Sequence, residues 1–261
     1  MKRPTRKLAA VPMLSAALIG VAAAPVNWAQ ANDNEIPFEE AHIFLELNDT
    51  DGDLGIHALI DGDAWKRLEI EDPNERAMLD IRVLGRLRRQ GLTEIFFESD
   101  EPSFDELTPA QFLRRFPEGP YEIDGITLEG EELESTAVLS HVMPAPPENI
   151  TISGIPAAEN CDVDPLPSVS GPVIIDWDPV TGSHPEIGTP GVPVAVDKYQ
   201  LVLEREEPTL LIFSVELPAN VTRFRVPAGF INLGDEFKFE IIVKGAGTGN
   251  QTAVESCFEV E

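Results

Sequence analysis

Lys198-Tyr199-Gln200-Leu201-Val202-Leu203-Glu204 reads as a β-strand with one buried face. Tyr199, Leu201 and Leu203 recur at every second position. A period of two sends alternate side chains to opposite faces of a sheet, so these three share a face. Strand-like runs lie on both sides of this segment. Downstream are Leu211 to Leu217, Thr222 to Val226, Leu233 to Val243 and Thr252 to Val260. Upstream are Ile150-Thr151-Ile152 and Val173-Ile174-Ile175-Asp176-Trp177. Short alternating strands separated by Gly- and Pro-rich turns predict an all-β sandwich for residues 147–261.

The order of these runs resembles the fibronectin type III sandwich. In that family a core Trp sits on the second strand, the third strand carries a Tyr-x-Leu-x-Leu pattern, and a Leu-x-Pro-Gly-x-x-Tyr segment leads into the sixth. Trp177 matches the first feature and Tyr199-Gln200-Leu201-Val202-Leu203 the second. Leu233-Gly234-Asp235-Glu236-Phe237 approximates the third. Phe237 stands where the family has Tyr, so the hydroxyl of the tyrosine corner is missing. The Pro before the Gly is absent, and the loop from Thr181 to Val196 is long. The resemblance implies a spacer or recognition platform and no activity, because a fold does not fix a function. It also places the first and last strands side by side. Cys161 follows the predicted first strand and Cys257 lies on the predicted last, so a Cys161–Cys257 disulfide is expected in an oxidising compartment. Two buried free thiols are the alternative.

Working back toward the amino terminus, Met143-Pro144-Ala145-Pro146-Pro147 interrupts the pattern. Prolines so closely spaced cannot join a helix or a central strand, and they stiffen an extended connection. A boundary at 146 gives a β-rich domain over 32–146, of no recognised family, and the sandwich over 147–261. In the first of these, strands are read at His42 to Leu47, Leu54 to Ile60, Trp65 to Ile70, Met78 to Leu84, Glu94 to Glu98, Tyr121 to Leu128 and Leu133 to Val142. Asp61-Gly62, Asp72-Pro73-Asn74 and Leu84-Gly85 are read as turns between them. One short helix is expected from Pro109 to Phe116, capped by Thr108, with Phe112, Leu113 and Phe116 as its apolar stripe. The fold class is therefore all-β: two β-sandwich-like domains in tandem, with one short helix in the first.

The first residues have the layout of a secretory signal. Lys2, Arg3, Arg6 and Lys7 precede an apolar stretch from Leu8 to Ala24, and Ala29-Gln30-Ala31 offers a small-x-small cleavage pattern. Residues 1–31 are read as a cleaved leader, with the mature chain starting at Asn32. The stretch is too short and too rich in Ala to suit a spanning anchor, and no later segment has the length. The whole chain carries a formal charge of −27. Removing four bases makes the mature charge −27 − 4 = −31. Such a charge opposes binding to nucleic acid and to anionic lipid, which relies on bases neutralising phosphates. It suits cationic partners or divalent ions, and it also keeps an exported protein soluble. The location is read as secreted or periplasmic.

Asn48-Asp49-Thr50-Asp51-Gly52-Asp53 is the one stretch with the look of a ligand set. Asp49, Asp51 and Asp53 alternate as in the opening of a calcium loop. Leu54 replaces the expected Gly and Ile60 the expected Glu, so a hairpin turn at Asp51-Gly52 competes with calcium as the reading. His42, His57, His141 and His184 are not spaced as local metal pairs. No nucleophile elbow, His-Glu-x-x-His or Walker loop occurs, and Gly245-Ala246-Gly247-Thr248-Gly249 reads as a hairpin between strands. The Asn-x-Ser/Thr tripeptides at Asn48, Asn149, Asn220 and Asn250 are read as chance. Trp65, beside Lys66 and Arg67, is read as a half-buried strand residue, with carbohydrate stacking as the alternative. The chain is expected to be no enzyme and to need no cofactor, calcium excepted. Its expected role is adhesion, scaffolding or binding of a protein or glycan. The alternatives are a carbohydrate-active protein with activity in its amino-terminal domain and a calcium-stabilised structural module.

Overall fold

Alternating sequence becomes β-strand nearly throughout residues 36–261, which a computed structural model describes. The leader and its cleavage point lie outside the described residues. The amino-terminal part contains β1 (Glu40–Asn48), β2 (Asp53–Glu71), β3 (Ala77–Arg82), β4 (Leu92–Glu98), α1 (Pro109–Arg115), β5 (Gly119–Thr127) and β6 (Glu132–Leu139). The carboxy-terminal part follows with β7 (Thr151–Ile152), β8 (Ile155–Pro156), β9 (Ser168–Val169), β10 (Ile174–Asp176), β11 (Val196–Arg205), β12 (Leu211–Pro218), β13 (Arg223–Arg225), α2 (Ala228–Ile231), β14 (Glu236–Gly245) and β15 (Gln251–Val260). The protein is all-β with short helices, as the alternation predicts.

β2 organises the amino-terminal core. Its first half pairs with β1 on one side and β4 on the other, and its second half pairs with β3 and β5. The register shifts between Asp61 and Trp65, so the strand passes from one layer into the other. Asp61-Gly62 is therefore not the turn its composition suggests. The two strands expected around it are one strand of 19 residues. Gly62 serves a close approach instead: a Cβ there would stand 3.0 Å from the Phe38 ring. Trp65, with no exposed surface, fills the corner. It is neither half-buried nor open to a sugar.

Around it pack Leu45, Leu47, Ile56, Ile60, Leu68, Ile70, Tyr121 and Ile123. α1 closes the core with Phe112, and its start is fixed by Gln111 Oε1, which accepts a hydrogen bond from the Thr108 amide at 3.1 Å.

In the carboxy-terminal part, strands run in the order β12-β11-β14-β15 on one layer and β13-β10-β7-β8 on the other. Tyr199, Leu201 and Leu203 face inward with Phe237, Phe239 and Ile241, and Trp177 packs edge-on to Tyr199 with ring centroids 5.4 Å apart. Cys161 and Cys257 are joined in a disulfide, as expected. α2, which periodicity does not announce, adds Ile231 to this core.

The two cores meet at the proline segment: Met143 packs in the first and Ala145 against the second. One sheet nevertheless runs through both, because β15 pairs in parallel with β1 through Glu46↔Gln251, Leu47↔Thr252 and Asn48↔Ala253. Residues 36–261 form one compact unit.

The proline segment is tied on both sides. Thr252 Oγ1 donates to the Pro144 carbonyl at 2.7 Å, and the Ala145 amide donates to Gly182 at 2.9 Å. Asn250, fully buried, accepts from the Leu45 amide at 2.9 Å and donates to the carbonyls of Ser140 and Val142 at 2.8 and 3.0 Å.

Candidate functional site

The outward face of the shared sheet, where the two cores join, gathers ionisable side chains. Period two puts Glu46 of β1 on this face, opposite Gln251 of β15 and Gly55 of β2. Asp53 and His57 follow on β2, with His57 opposite Glu98 of β4. On the other side of the seam, Glu240 of β14 stands opposite Glu255 of β15, flanked by Lys238. Glu101, just beyond β4, reaches over the sheet. Gly55 makes room for it: a Cβ at 55 would collide with the Glu101 carboxylate. A glycine inside a strand marks such an approach, and this is the sequence signal that points to the site.

The face is partly dry. His57 is 3% exposed and Glu240 7%. His57 Nε2 lies 3.4 Å from Glu101 Oε1, while its Nδ1 has no partner among the described residues. Glu240 Oε2 likewise has none. Burial raises the Glu240 carboxyl to about 8, helped by Glu46, Glu255 and Glu204 and opposed by Lys238. Burial also raises Asp53 to about 7, reinforced by Glu101, Asp51, Glu255 and Glu46. Glu46 and Glu98 move upward from the same cause and from neighbouring carboxylates. Burial alone would lower His57, but its bond to Glu101 and the charges of Glu46, Glu101 and Glu98 raise it. The arrangement stores protons near neutral pH and disfavours full ionisation.

This geometry sets the sign of a pH effect. Asp53 and Glu240 have ordinary values of 3.8 and 4.5 and folded values of about 7 and 8. Between these limits the folded state keeps protons that the unfolded chain has released, so stability falls as pH rises. The contribution is complete below pH 4 and gone above about 8. His57 acts in the same direction, its share being lost as pH climbs through its raised value. Thermal melts from pH 4 to 9 are expected to show this decline. Glu240→Gln is expected to flatten it, stabilising the protein by roughly 2–4 kcal/mol at the alkaline end and little at the acid end. Melting independent of pH, in both proteins, would contradict the assignment.

The aspartates singled out in the sequence lie at the edge of this face. Asp49 accepts a hydrogen bond of 2.9 Å from His184 Nε2. The other ring nitrogen of His184 accepts the amides of Glu186 and Ile187, at 3.1 and 2.9 Å, which fixes the ring proton on Nε2. Asp51 Oδ2 accepts from the Asn48 side-chain amide at 3.2 Å. Asn48 Oδ1 in turn accepts the amides of Thr50 and Asp51, closing the β1–β2 hairpin. Asp53 alone faces the acidic cluster. Among the described residues, no three His, Cys, Asp or Glu side chains come together in a set that could hold a metal ion. Sequence reasoning missed Glu46, His57, Glu101 and Glu240 as a group, because the join that brings them together spans the chain.

No family model matches the chain, and neither does any curated protein. Among solved structures it is similar to the BSP domain of a biofilm-associated protein, at 11% identity and a TM-score of 0.25, over 85% of this chain and 29% of that one. It is similar at the same identity and TM-score to trypsin-activated alpha-2-macroglobulin from Escherichia coli, over 88% of this chain and 16% of that one. The chain thus spans less than a third of either protein. At these scores neither likeness bears on what the protein does.

Proposed function

We propose that the protein is an exported, non-catalytic β module that binds or spaces other molecules at or beyond the cell envelope. The observation that carries the reading is the single sheet running through two cores, closed at its carboxy-terminal end by the Cys161–Cys257 bridge. A bridged pair fits an oxidising compartment, and a sheet continuous across two cores resists relative motion of the halves. This is the build of a rigid platform.

The carboxy-terminal part is read as fibronectin type III-like. Support comes from its strand order, β12-β11-β14-β15 against β13-β10-β7, and from Trp177 lying edge-on to Tyr199 in the core. Phe237 is buried there without a hydroxyl to anchor.

The test uses the chain from Asn32, oxidised, applied to a glycan array and to isolated envelope polymers, with release of reducing sugar followed in parallel. Saturable binding without sugar release is the expected result. Sugar release that survives purification would move the reading to the carbohydrate-active alternative. Recovery of the chain from the cytoplasm of its source with both cysteines alkylatable would overturn export.

A further inference from the structure

The loop from β3 to β4 departs from the rest of this acidic chain. Arg82-Val83-Leu84-Gly85-Arg86-Leu87-Arg88-Arg89-Gln90-Gly91-Leu92 contains four arginines and no acid. Its ends are fixed. Val83 is buried and its amide donates to the Lys66 carbonyl at 2.9 Å. Gly91 takes a positive φ of 77° against Ala64, where a Cβ would stand 2.9 Å from the Ala64 Cβ. Between these anchors every residue from Leu84 to Gln90 is exposed, and Leu87–Arg89 form a single 3₁₀ turn.

Two features of this tip lack an internal explanation. Leu84 is 69% exposed and Leu87 52%, so neither contributes to a core. Arg86, Arg88 and Arg89 form no ion pair among the described residues, whereas Arg67 and Arg82 at the base share Asp80. We propose that the Leu84–Arg89 loop is a docking site for an anionic lipid surface, with Leu84 and Leu87 entering the headgroup layer and Arg86, Arg88 and Arg89 pairing with lipid phosphates.

The chemistry selects this partner. A bilayer surface offers phosphates for cationic side chains and hydrocarbon just beneath them for apolar ones, and this loop exposes both kinds together. Single-stranded nucleic acid binding depends on stacking aromatics, and the loop has none. A soluble polyanion would satisfy the arginines and leave the leucines in water. The whole chain carries a net charge of −27. The same net charge opposes the approach to an anionic membrane, but only within a Debye length of about 8 Å at physiological salt, and the loop projects the opposite charge. The proposal rests on the loop alone and holds whatever the module binds elsewhere.

The test is cosedimentation of the chain from Asn32 with vesicles; every described residue lies beyond that point, and omitting the leader removes a second cationic and apolar segment. Vesicles of mixed phosphatidylglycerol and phosphatidylcholine are compared with pure phosphatidylcholine, at low and high ionic strength. Binding is expected only to the anionic vesicles and is expected to weaken with salt. Arg86→Glu, Arg88→Glu and Arg89→Glu together are expected to reduce partitioning about 100-fold. Leu84→Ser with Leu87→Ser is expected to reduce it about tenfold. All five side chains are exposed, so the melting temperatures of both variants are expected to match the parent. Absence of binding at low salt, or binding unaffected by the arginine reversals, overturns the proposal. Binding unaffected by the leucine changes and competed fully by soluble polyphosphate assigns the loop to polyanions and overturns the lipid assignment.

Discussion

Replacing Cys161 and Cys257 together with serine is expected to lower the folding free energy by about 4 kcal/mol. The bridge spans 96 residues and excludes from the unfolded chain every conformation in which its ends are far apart. For a closed loop of that length the chain-entropy model gives roughly 4–5 kcal/mol, which serves as a ceiling. In a unit of this size the loss corresponds to a melting temperature lower by about 10 °C.

The bridge also acts locally. It tethers the segment between β8 and β9 to β15, and β9 adds only Glu259↔Ser168 and Val260↔Val169 to the sheet. Hydrogen exchange in the variant should therefore speed up first around residues 157–169, with β11 and β14 protected longest. Chemical denaturation with and without reductant measures the total. A loss below about 1 kcal/mol would mean that the unfolded chain is already held together there.

Asn250→Ala is expected to cost about 3 kcal/mol or more, from a side chain that carries no charge and touches no ligand. Its amide satisfies three backbone groups at once: the Leu45 N–H and the carbonyls of Ser140 and Val142. Truncation leaves these groups unpaired where Leu45 and position 250 have no exposed surface. Each orphaned buried group costs about 1–3 kcal/mol.

Asn250→Asp separates this explanation from a simple packing defect. The two side chains have nearly the same shape, but a carboxylate can accept from Leu45 and cannot donate to two carbonyls. It should destabilise at neutral pH at least as much as alanine and recover partly in acid. Urea titrations of both variants decide the matter. An aspartate variant as stable as the parent would show that the two carbonyl bonds contribute nothing.

Asn250 also shows why the seam is hard to read from sequence. As Asn-Gln-Thr it has the form of a glycosylation site. Its actual partner at Leu45 lies 205 residues away. Periodicity reports which face of a strand is buried, and it located most strands to within a few residues. It is silent on which strand lies next to which. The pairing of β1 with β15 could not be inferred from either half alone. His184 bonds Asp49 from 135 residues away, a contact between loop and hairpin that no local window announces.

The same limit explains the acidic face. Glu46 and Glu240 occupy the polar positions of alternating strands, where a solvated carboxylate is the ordinary expectation. They become a coupled group because the sheet joins across the chain and Glu101 folds over it. Asp61-Gly62 fails for a related reason. An Asp-Gly pair suits a turn and a strand corner equally, and Phe38 decides between them from outside any local window.

The parallel pairing of β1 with β15 has a mechanical consequence. The two strands lie side by side and run in the same direction, β1 being the first strand along the described chain and β15 the last. Tension applied to the two ends of the described chain draws β1 and β15 past one another along their length. Every hydrogen bond of the seam then lies across the pull and takes load together, with the Leu45–Asn250 and Thr50–Glu255 contacts beside them. A hairpin pulled at its open end would give way one rung at a time. Here the rungs must yield as a set, so the seam resists force by shear.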